Sequence, residues 1–237
     1  NEDCLEGMKK IPDGSVDFVL TDLPYGITDC DFDVRIDLKK FWEQINRVTK
    51  FNAAVALFSQ MPFGAELIMS NRKNFRYEWI VFKDKHCGYL NAKKMPLRAH
   101  ENILIFYQKL PTYNPQFDYA RPYKKRTNVK MKSGTVYNKA RLDNVVGVVH
   151  VNEDGRRYPI DVIKGNFNQG VFKPGTTLWA GSQTVHPMQK PTDLLEYLIK
   201  TYSNEGETVL DATIGSGSTG VAAVNTGRNF IGFELDE

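Results

Sequence analysis

No apolar run in the chain approaches the ~18 to 20 residues needed to cross a bilayer. The first residues, Asn1-Glu-Asp-Cys4, lack the basic and apolar regions of a signal peptide. Cysteine is scarce: Cys4, Cys30 and Cys87 are an odd number without C-x-x-C spacing, which argues against a disulfide framework and a structural zinc site. His86, Cys87 and His100 also lack zinc-ligand spacing, so no metal site is expected. Internal repeats and low-complexity tracts are missing too. What these absences leave is a reduced, cytoplasmic protein without a membrane span. At 237 residues and 41% hydrophobic, it can bury a sizeable core, which excludes disorder as the main state.

Net charge is only +3, but its distribution is uneven. Between Lys109 and Arg141 lie Arg121, Lys124, Lys125, Arg126, Lys130, Lys132 and Lys139, with Asp118 the only acid. Tyr113, Tyr119, Tyr123 and Tyr137 are interleaved with Asn114, Asn128 and Asn138. Such a stretch can neutralise phosphates while its side chains reach or stack on bases. A solvated basic loop has the same composition, so the stretch alone does not choose between them.

Val16 to Thr21 is a short apolar run that enters a loop and reads as a buried strand. Residues 38–50 have helical spacing through Leu38, Phe41, Trp42, Ile45 and Val48, with Asp37 placed to cap the helix. Residues 53–58 read as a second buried strand, and a helix is expected from Pro62 to Ser70. Residues 77–82 and 102–108 are strand-like. Trp42, Trp79 and Trp179 are expected in the core, and His100 is expected to pack or cap. From about residue 111 to 180 the apolar residues lose their period, as in a functional insertion or a small irregular subdomain. A helix (192–202), a strand (208–211), a helix (217–225) and a strand (229–234) follow. The alternation indicates a mainly parallel α/β sheet.

Gly215, Gly217 and Gly220 in Val209-Leu-Asp211-Ala-Thr213-Ile-Gly-Ser216-Gly-Ser218-Thr219-Gly satisfy G-x-G-x-x-G between a strand and a helix. Glu234 closes the next strand, where an acid suits ribose hydroxyls. A tight connection without ligand and a dinucleotide site are the first alternatives. Only 22 residues follow Gly215, too few for the rest of an ordinary dinucleotide-binding domain. Asp211 at the strand end would also repel a pyrophosphate. A carboxylate there suits a cofactor with a cationic amine and no phosphate, which S-adenosyl-L-methionine satisfies. A serine nucleophile at Ser216 or Ser218 fails, because G-x-S-x-G is not matched.

Asp22-Leu23-Pro24-Tyr25 follows a buried strand, where open α/β sheets carry ligands, although a plain strand-terminating turn has the same look. Chemically, Asp22 can accept one N–H of an exocyclic amine and the Leu23 carbonyl the other. Tyr25 can stack on the base, worth about 1–3 kcal/mol, which helps offset drawing a base from duplex.

These two motifs, in this order, resemble the β class of amino-methyltransferases that act on DNA, with an early D-P-P-Y and a late D-P-F-x-G-S-G-T. His186-Pro-Met-Gln-Lys190-Pro is similar to that family's H-P-x-x-K-P, and His100-Glu-Asn-Ile-Leu-Ile-Phe106 to its H-E-x-I-L-x-F strand. Gly7 through Tyr25, with Asp17, follows its usual opening. The resemblance implies a Rossmann-like methyltransferase fold: a mainly parallel sheet with helices on both faces and an inserted, irregular target-recognition region. Residues 1–110 would be the catalytic half, 111–180 the insertion and 181–237 the cofactor half. It implies S-adenosyl-L-methionine as cofactor and duplex DNA as partner. A cognate restriction endonuclease and a homodimer are further partners within its scope.

Carried over by residue, Asp22, Leu23, Pro24 and Tyr25 take the target base. Asp211, Thr213, Gly215, Ser216, Gly217, Ser218 and Thr219 line the cofactor together with Asp22, and Glu234 meets its ribose. Asp3 and Cys4 resemble the segment touching the adenine, and Lys190 a lysine near the cofactor carboxylate. Arg121, Lys124, Lys125, Arg126, Lys130, Lys132, Lys139 and Arg141 fall in the target-recognition region. Methyl transfer would be direct, favouring adenine N6 because the motif begins with Asp. Cytosine N4, RNA adenine, and a fold that binds without methylating are the alternatives. Two departures stand out. Leu23 replaces a proline, leaving loop stiffness in question, and Ala212-Thr213 replaces Pro-Phe, removing a ring from the cofactor site.

Overall fold

The computed structural model describes residues 2–26, 34–127, 148–164 and 189–235. Two compact units are present: Asn1–Gln116 with Ile160–Glu237, and Phe117–Pro159. The first holds helices α1 (Cys4–Met8), α2 (Leu38–Val48), α3 (Phe63–Ser70), α4 (Thr192–Tyr202) and α5 (Ser218–Asn225). Its strands are β1 (Val16–Thr21), β2 (Thr49–Ser59), β3 (Phe75–Cys87), β4 (Arg98–Phe106), β9 (Val162–Lys164), β10 (Thr208–Asp211) and β11 (Asn229–Gly232). The second unit holds β5 (Asp118–Tyr119) paired with β8 (Arg156–Arg157), and β6 (Tyr123–Thr127) paired with β7 (Val148–Asn152), both antiparallel.

The seven strands of the first unit form one sheet in the order β11-β10-β1-β2-β4-β3-β9. Only β4 runs against its neighbours; the other pairings are parallel. Strand alternation divides the core between the two faces. Phe18, Leu20, Ala54, Ala56, Ile103 and Ile105 pack with Leu194, Leu195 and Leu198 of α4 and with Ala222 of α5. Val19, Val55, Leu57, Leu104 and Phe106 pack with Met8 of α1, Phe41, Trp42 and Ile45 of α2, and Leu67 of α3. Helices therefore cover both faces, as the alternation of elements in the sequence implies.

Asp37 caps α2 as its position suggests, its Oδ1 accepting from the N–H groups of Lys39 and Lys40 (3.0 and 3.2 Å). Trp42 and Trp79 are buried, while Trp179 lies outside the described residues. His100 is a correction: it sits exposed on β4 opposite Phe82, outside the core. β3 and β4 extend further than their apolar runs; the first three residues of β4, Arg98 to His100, are exposed or half-buried and form no apolar run. α1 is too short for a helical period to show. β9, inside the interval read as insertion, is hydrogen-bonded to β3 as the last strand of the large sheet. Among the described residues no helix is long and apolar enough to cross a membrane.

One buried polar contact ties α4 to the sheet. The Tyr202 hydroxyl accepts from Trp79 Nε1 (2.7 Å) and lies 2.8 Å from the Tyr77 hydroxyl. Tyr202→Phe leaves the indole N–H unpaired in the interior, which costs about 1–3 kcal/mol. Urea unfolding should show that loss; an unchanged midpoint would remove this contact from the account of the core.

Candidate active site

Loop connections reverse between β10 and β1. From β10 the chain passes through α5 to β11 on one side; from β1 it passes through α2 to β2 on the other. In an open α/β sheet such a reversal opens a crevice at the carboxyl ends of the two strands. Asp22 follows β1 and Asp211 ends β10, so the parallel pairing of Phe18 with Val209 and Val19 with Leu210 delivers both carboxylates to that crevice.

Thr213 joins the two strand ends. Its hydroxyl lies 2.9 Å from Thr21 Oγ1 and 3.1 Å from the Asp22 carbonyl oxygen. The Thr21 hydroxyl donates to Asp211, so the Thr213 proton is the one shared between Thr21 Oγ1 and the Asp22 carbonyl. The residue that replaces the family's aromatic ring thus serves as a polar latch. Leu23 answers the second departure. Its side chain is 1% exposed in the cluster with Cys4, Met8 and Phe41, so burial holds the loop where a proline would stiffen it.

Asp22 is held at both carboxylate oxygens. Oδ1 accepts from the Tyr25 hydroxyl (2.7 Å), and Oδ2 meets Lys190 Nζ (2.8 Å). The Tyr25 ring packs on Phe63 at 5.1 Å, and its carbonyl accepts from Arg35 Nε (3.1 Å). Lys190 also meets Glu101 Oε2 (3.3 Å), which pairs with Lys83 (2.8 Å), and its ammonium lies over the Phe58 ring at 4.7 Å. Burial works against the Lys190 charge, yet Asp22 and Glu101 outweigh it and hold the ammonium well above its ordinary range. Burial likewise opposes charge on Glu101, but Lys190 and Lys83 outweigh it and keep the carboxyl below its usual value. Glu101 and Lys83 had no role assigned from sequence. Lys190, expected near a cofactor carboxylate, lies against Asp22 and Glu101.

Asp211 is in a different state. Hydroxyls of Thr219 and Thr21 and the Thr213 N–H (3.1 Å) hold it, and among the described residues no cation acts on it. Burial pushes its carboxyl up to about 6, with Asp22 adding to the rise. Beyond it the chain turns through Gly215 and Gly217, at φ 49° and 78°, and enters α5 at Ser218. A Cβ added at either glycine would meet none of the described residues within 4 Å. Ser218 and Thr219 are buried, and Ser216 is exposed.

Glu234 closes the turn from the next strand. Its Oε2 accepts from Gly215 N–H (2.7 Å) and its Oε1 from Leu235 N–H (3.0 Å), with lone pairs remaining on both oxygens. Its carbonyl accepts from Glu2 N–H (2.8 Å), bringing the start of the chain to the same place. There Asp3 caps α1 through Leu5 N–H (2.8 Å) and Glu6 N–H (3.1 Å). Cys4 is buried, and its thiol is pushed up to about 11 by burial and then by the nearby acids Asp3 and Asp211. Gly7 allows this approach, since a Cβ there would lie 2.2 Å from the Phe233 ring.

The basic residues belong to the second unit. Arg121 and Lys124 are exposed; Lys125 and Arg126 lie on β6. Lys130, Lys132, Lys139 and Arg141 lie outside the described residues. Two cations not singled out from sequence join them. Arg157 stacks over Tyr123 at 4.6 Å and donates to the Arg121 carbonyl (2.8 Å), and Arg156 lies over Phe117 at 5.1 Å. They fall just past the basic run, where Glu153 and Asp154 mask the local charge.

A doubly covered, mainly parallel sheet, with a carboxylate motif after one strand and a glycine turn after its neighbour, defines a Rossmann-like methyltransferase. Comparison with known proteins makes the class specific. The model of the DNA methylase family, the N6/N4 methyltransferases, matches residues 16–237, and the chain belongs to that family. The chain is 26% identical over 251 residues to the type II methyltransferase M1.MboII of Moraxella bovis, covering 98% of this chain and 89% of that one. It is 28% identical over 247 residues to the DNA adenine methyltransferase YhdJ of Escherichia coli, covering 99% and 76%. The solved M1.HpyAVI–SAM complex shares the fold, with a TM-score of 0.58 at 18% identity over 99% of this chain and 91% of that one.

The Asp211 carboxyl carries a signed prediction. A carboxyl raised to about 6 in the folded protein, against an unfolded value of 3.8, stabilises the fold fully below pH 3.8. That contribution is lost as pH rises through about 6. Asp211→Asn should therefore be more stable than wild type at pH 7, by about 1–3 kcal/mol, with the gap closing toward pH 4. Chemical unfolding at both pH values checks this; a gap that does not change with pH contradicts it.

Proposed function

We propose that the chain transfers the methyl group of S-adenosyl-L-methionine to the N6 amino group of adenine in duplex DNA, with the base drawn out of the helix. The observation that carries this reading is Asp22, fixed at the crevice by Tyr25 and Lys190 and latched through Thr213 to the turn that begins at Asp211. The Asp that opens the motif and the likeness to the E. coli adenine enzyme along 99% of the chain support adenine over cytosine.

The residues present fit the cofactor. Among the described residues Asp211 is a buried carboxylate without a cation acting on it, beside space that no described residue fills at Gly215 and Gly217. A phosphate would be repelled there, and a cationic amine would be welcomed. Asp211, Thr213, Gly215, Ser216, Gly217, Ser218 and Thr219 would hold the methionine side; Glu234, Asp3 and Cys4 the nucleoside side. When bound, the cofactor supplies a methyl group made electrophilic by its sulfonium.

The work of the chain is then orientation. An exocyclic amine conjugated with its ring is a weak nucleophile, so its approach must be fixed in advance. Lys190 occupies Asp22 Oδ2 and holds the carboxylate in one rotamer. The base N–H takes Oδ1 in place of the Tyr25 hydroxyl, and the Leu23 carbonyl takes the other N–H. Released from Asp22, the Tyr25 ring stacks on the base. As positive charge develops on the amine, Asp22 stabilises it without reorganising. Cys4, buried and held protonated at neutral pH, offers no thiolate, which agrees with direct transfer.

Arg121, Lys124, Lys125, Arg126, Arg156 and Arg157 would meet DNA phosphates, with Tyr119 and Tyr123 beside them. The remaining basic residues of the run, Lys130, Lys132, Lys139 and Arg141, belong to the same proposal. So do cytoplasmic location and a cognate restriction endonuclease.

The test is incubation with labelled S-adenosyl-L-methionine and mixed-sequence duplex DNA, then nucleoside mass spectrometry of the digest. N6-methyldeoxyadenosine is expected, and Asp22→Ala should reduce it about 10²–10³-fold or more. N4-methyldeoxycytidine would replace adenine by cytosine as the target, and label in RNA alone would replace the DNA reading. Near-normal turnover by Asp22→Ala would remove Asp22 from the mechanism.

A further inference from the structure

The β3–β4 hairpin ends in a turn for which the methyl-transfer site has no use. Gly88, at φ 94°, reverses the chain and leads into a 3-10 turn at Tyr89–Asn91. Asn91 N–H donates to the Gly88 carbonyl (2.9 Å) and Ala92 N–H to Tyr89 (3.1 Å), while Lys94 and Met95 N–H both donate to Asn91 (2.8 and 3.0 Å). The tip thus has its own hydrogen-bonded order. It nonetheless leaves Leu90 101% exposed, Tyr89 67% and Met95 57%. Around these apolar groups the sequence from 85 to 100 supplies Lys85, Lys93, Lys94 and Arg98 and no acid. Lys93, Lys94, Arg98 and His100 are all exposed.

Register places this tip relative to the site. Thr21 of β1 lies opposite Leu57 of β2, and Asn102 of β4 lies opposite Ser59. β4 is antiparallel to β2, so residues before Asn102 run outward past the sheet edge that carries Asp22 and Asp211. Four extended residues, back to Arg98, reach about 13 Å beyond Asn102. Arg98 donates to Gln60 Oε1 (2.6 Å), fastening the hairpin stem to the end of β2.

Three large exposed apolar side chains within seven residues stabilise nothing in the free protein and mark a contact surface. Cations around them select a polyanion with an apolar interior. We infer that the tip is a duplex-DNA contact: Lys93 and Lys94 lie on phosphates, and Leu90 presses an apolar wedge against the base step beside the base being extracted. An anionic membrane has similar chemistry, but a membrane there would face the edge from which the base must enter. The inference rests on the DNA reading above and extends it to a surface outside the basic unit.

The full-length protein is tested as wild type, Leu90→Ala, and the double variant Lys93→Gln with Lys94→Gln. All three positions are exposed, so folding is spared. The double variant should raise KM for mixed-sequence duplex DNA about tenfold and lower the log–log salt slope by about 2. Leu90→Ala should reduce methylation of duplex DNA about tenfold yet leave the rate on single-stranded DNA unchanged, because no base pair is opened there. S-adenosyl-L-methionine affinity by calorimetry should be the same in all three. Wild-type rates in both variants on duplex DNA would overturn the inference while leaving the methyltransferase reading intact. Failure of the wild type to methylate any DNA would overturn the reading, and this inference with it. Leu90-dependent sedimentation with phosphatidylserine vesicles, with DNA kinetics unchanged, would replace DNA by a membrane.

Discussion

The parallel pairing of β1 with β10 is the constraint on which the rest depends. Residues about 190 positions apart in sequence meet here: Phe18 faces Val209 and Val19 faces Leu210. Neither motif makes a site alone: in the proposed function the base side at Asp22 needs the cofactor side at Asp211 and the glycine turn beside it. The pairing is stabilised by burial of Phe18, Leu20 and Val209 on one face and Val19 and Leu210 on the other. At the opposite end Asp17 adds a polar tie, accepting from Thr208 N–H (3.0 Å) and pairing with Lys50 (2.6 Å).

The two carboxylates delivered by this pairing have different neighbours. Asp22 has a cation, Lys190, itself braced by the buried Glu101. Among the described residues Asp211 has hydroxyls and an N–H, and burial raises its carboxyl to about 6. A carboxylate braced by a cation suits a group that must orient an amine. An uncompensated buried one suits a group that waits for a positively charged ligand. Destabilisation at Asp211 is the expected mark of a binding site, where function rather than stability sets the residue.

Much of this was legible in the sequence because the signals are local. The α2 cap at Asp37, the apolar runs of β1 and β2, and the glycine turn after β10 each lie within a few consecutive residues. What was not legible depends on tertiary neighbours. Thr213 reads as the loss of a ring until Thr21 and Asp22 are beside it. Glu101 belongs to a recognisable strand segment, but its role needs Lys190, which lies 89 residues away. The two-residue strands β5 and β8 are too short for any pattern, and the outer residues of β4, Arg98 to His100, include no buried side chain, so period 2 fades. Arg156 and Arg157 lie beyond the basic run, and only their stacking on Phe117 and Tyr123 groups them with it.

The central claim is that one crevice holds two separable half-sites, Asp211 for the cofactor and Asp22 for the base. Calorimetric titration of S-adenosyl-L-methionine into Asp22→Ala and Asp211→Ala tests it most directly. The account predicts that Asp22→Ala binds within about threefold of wild type, while Asp211→Ala loses at least about tenfold, the equivalent of one hydrogen bond to a charged group. Equal affinity in Asp211→Ala, or loss of binding in Asp22→Ala, would contradict it.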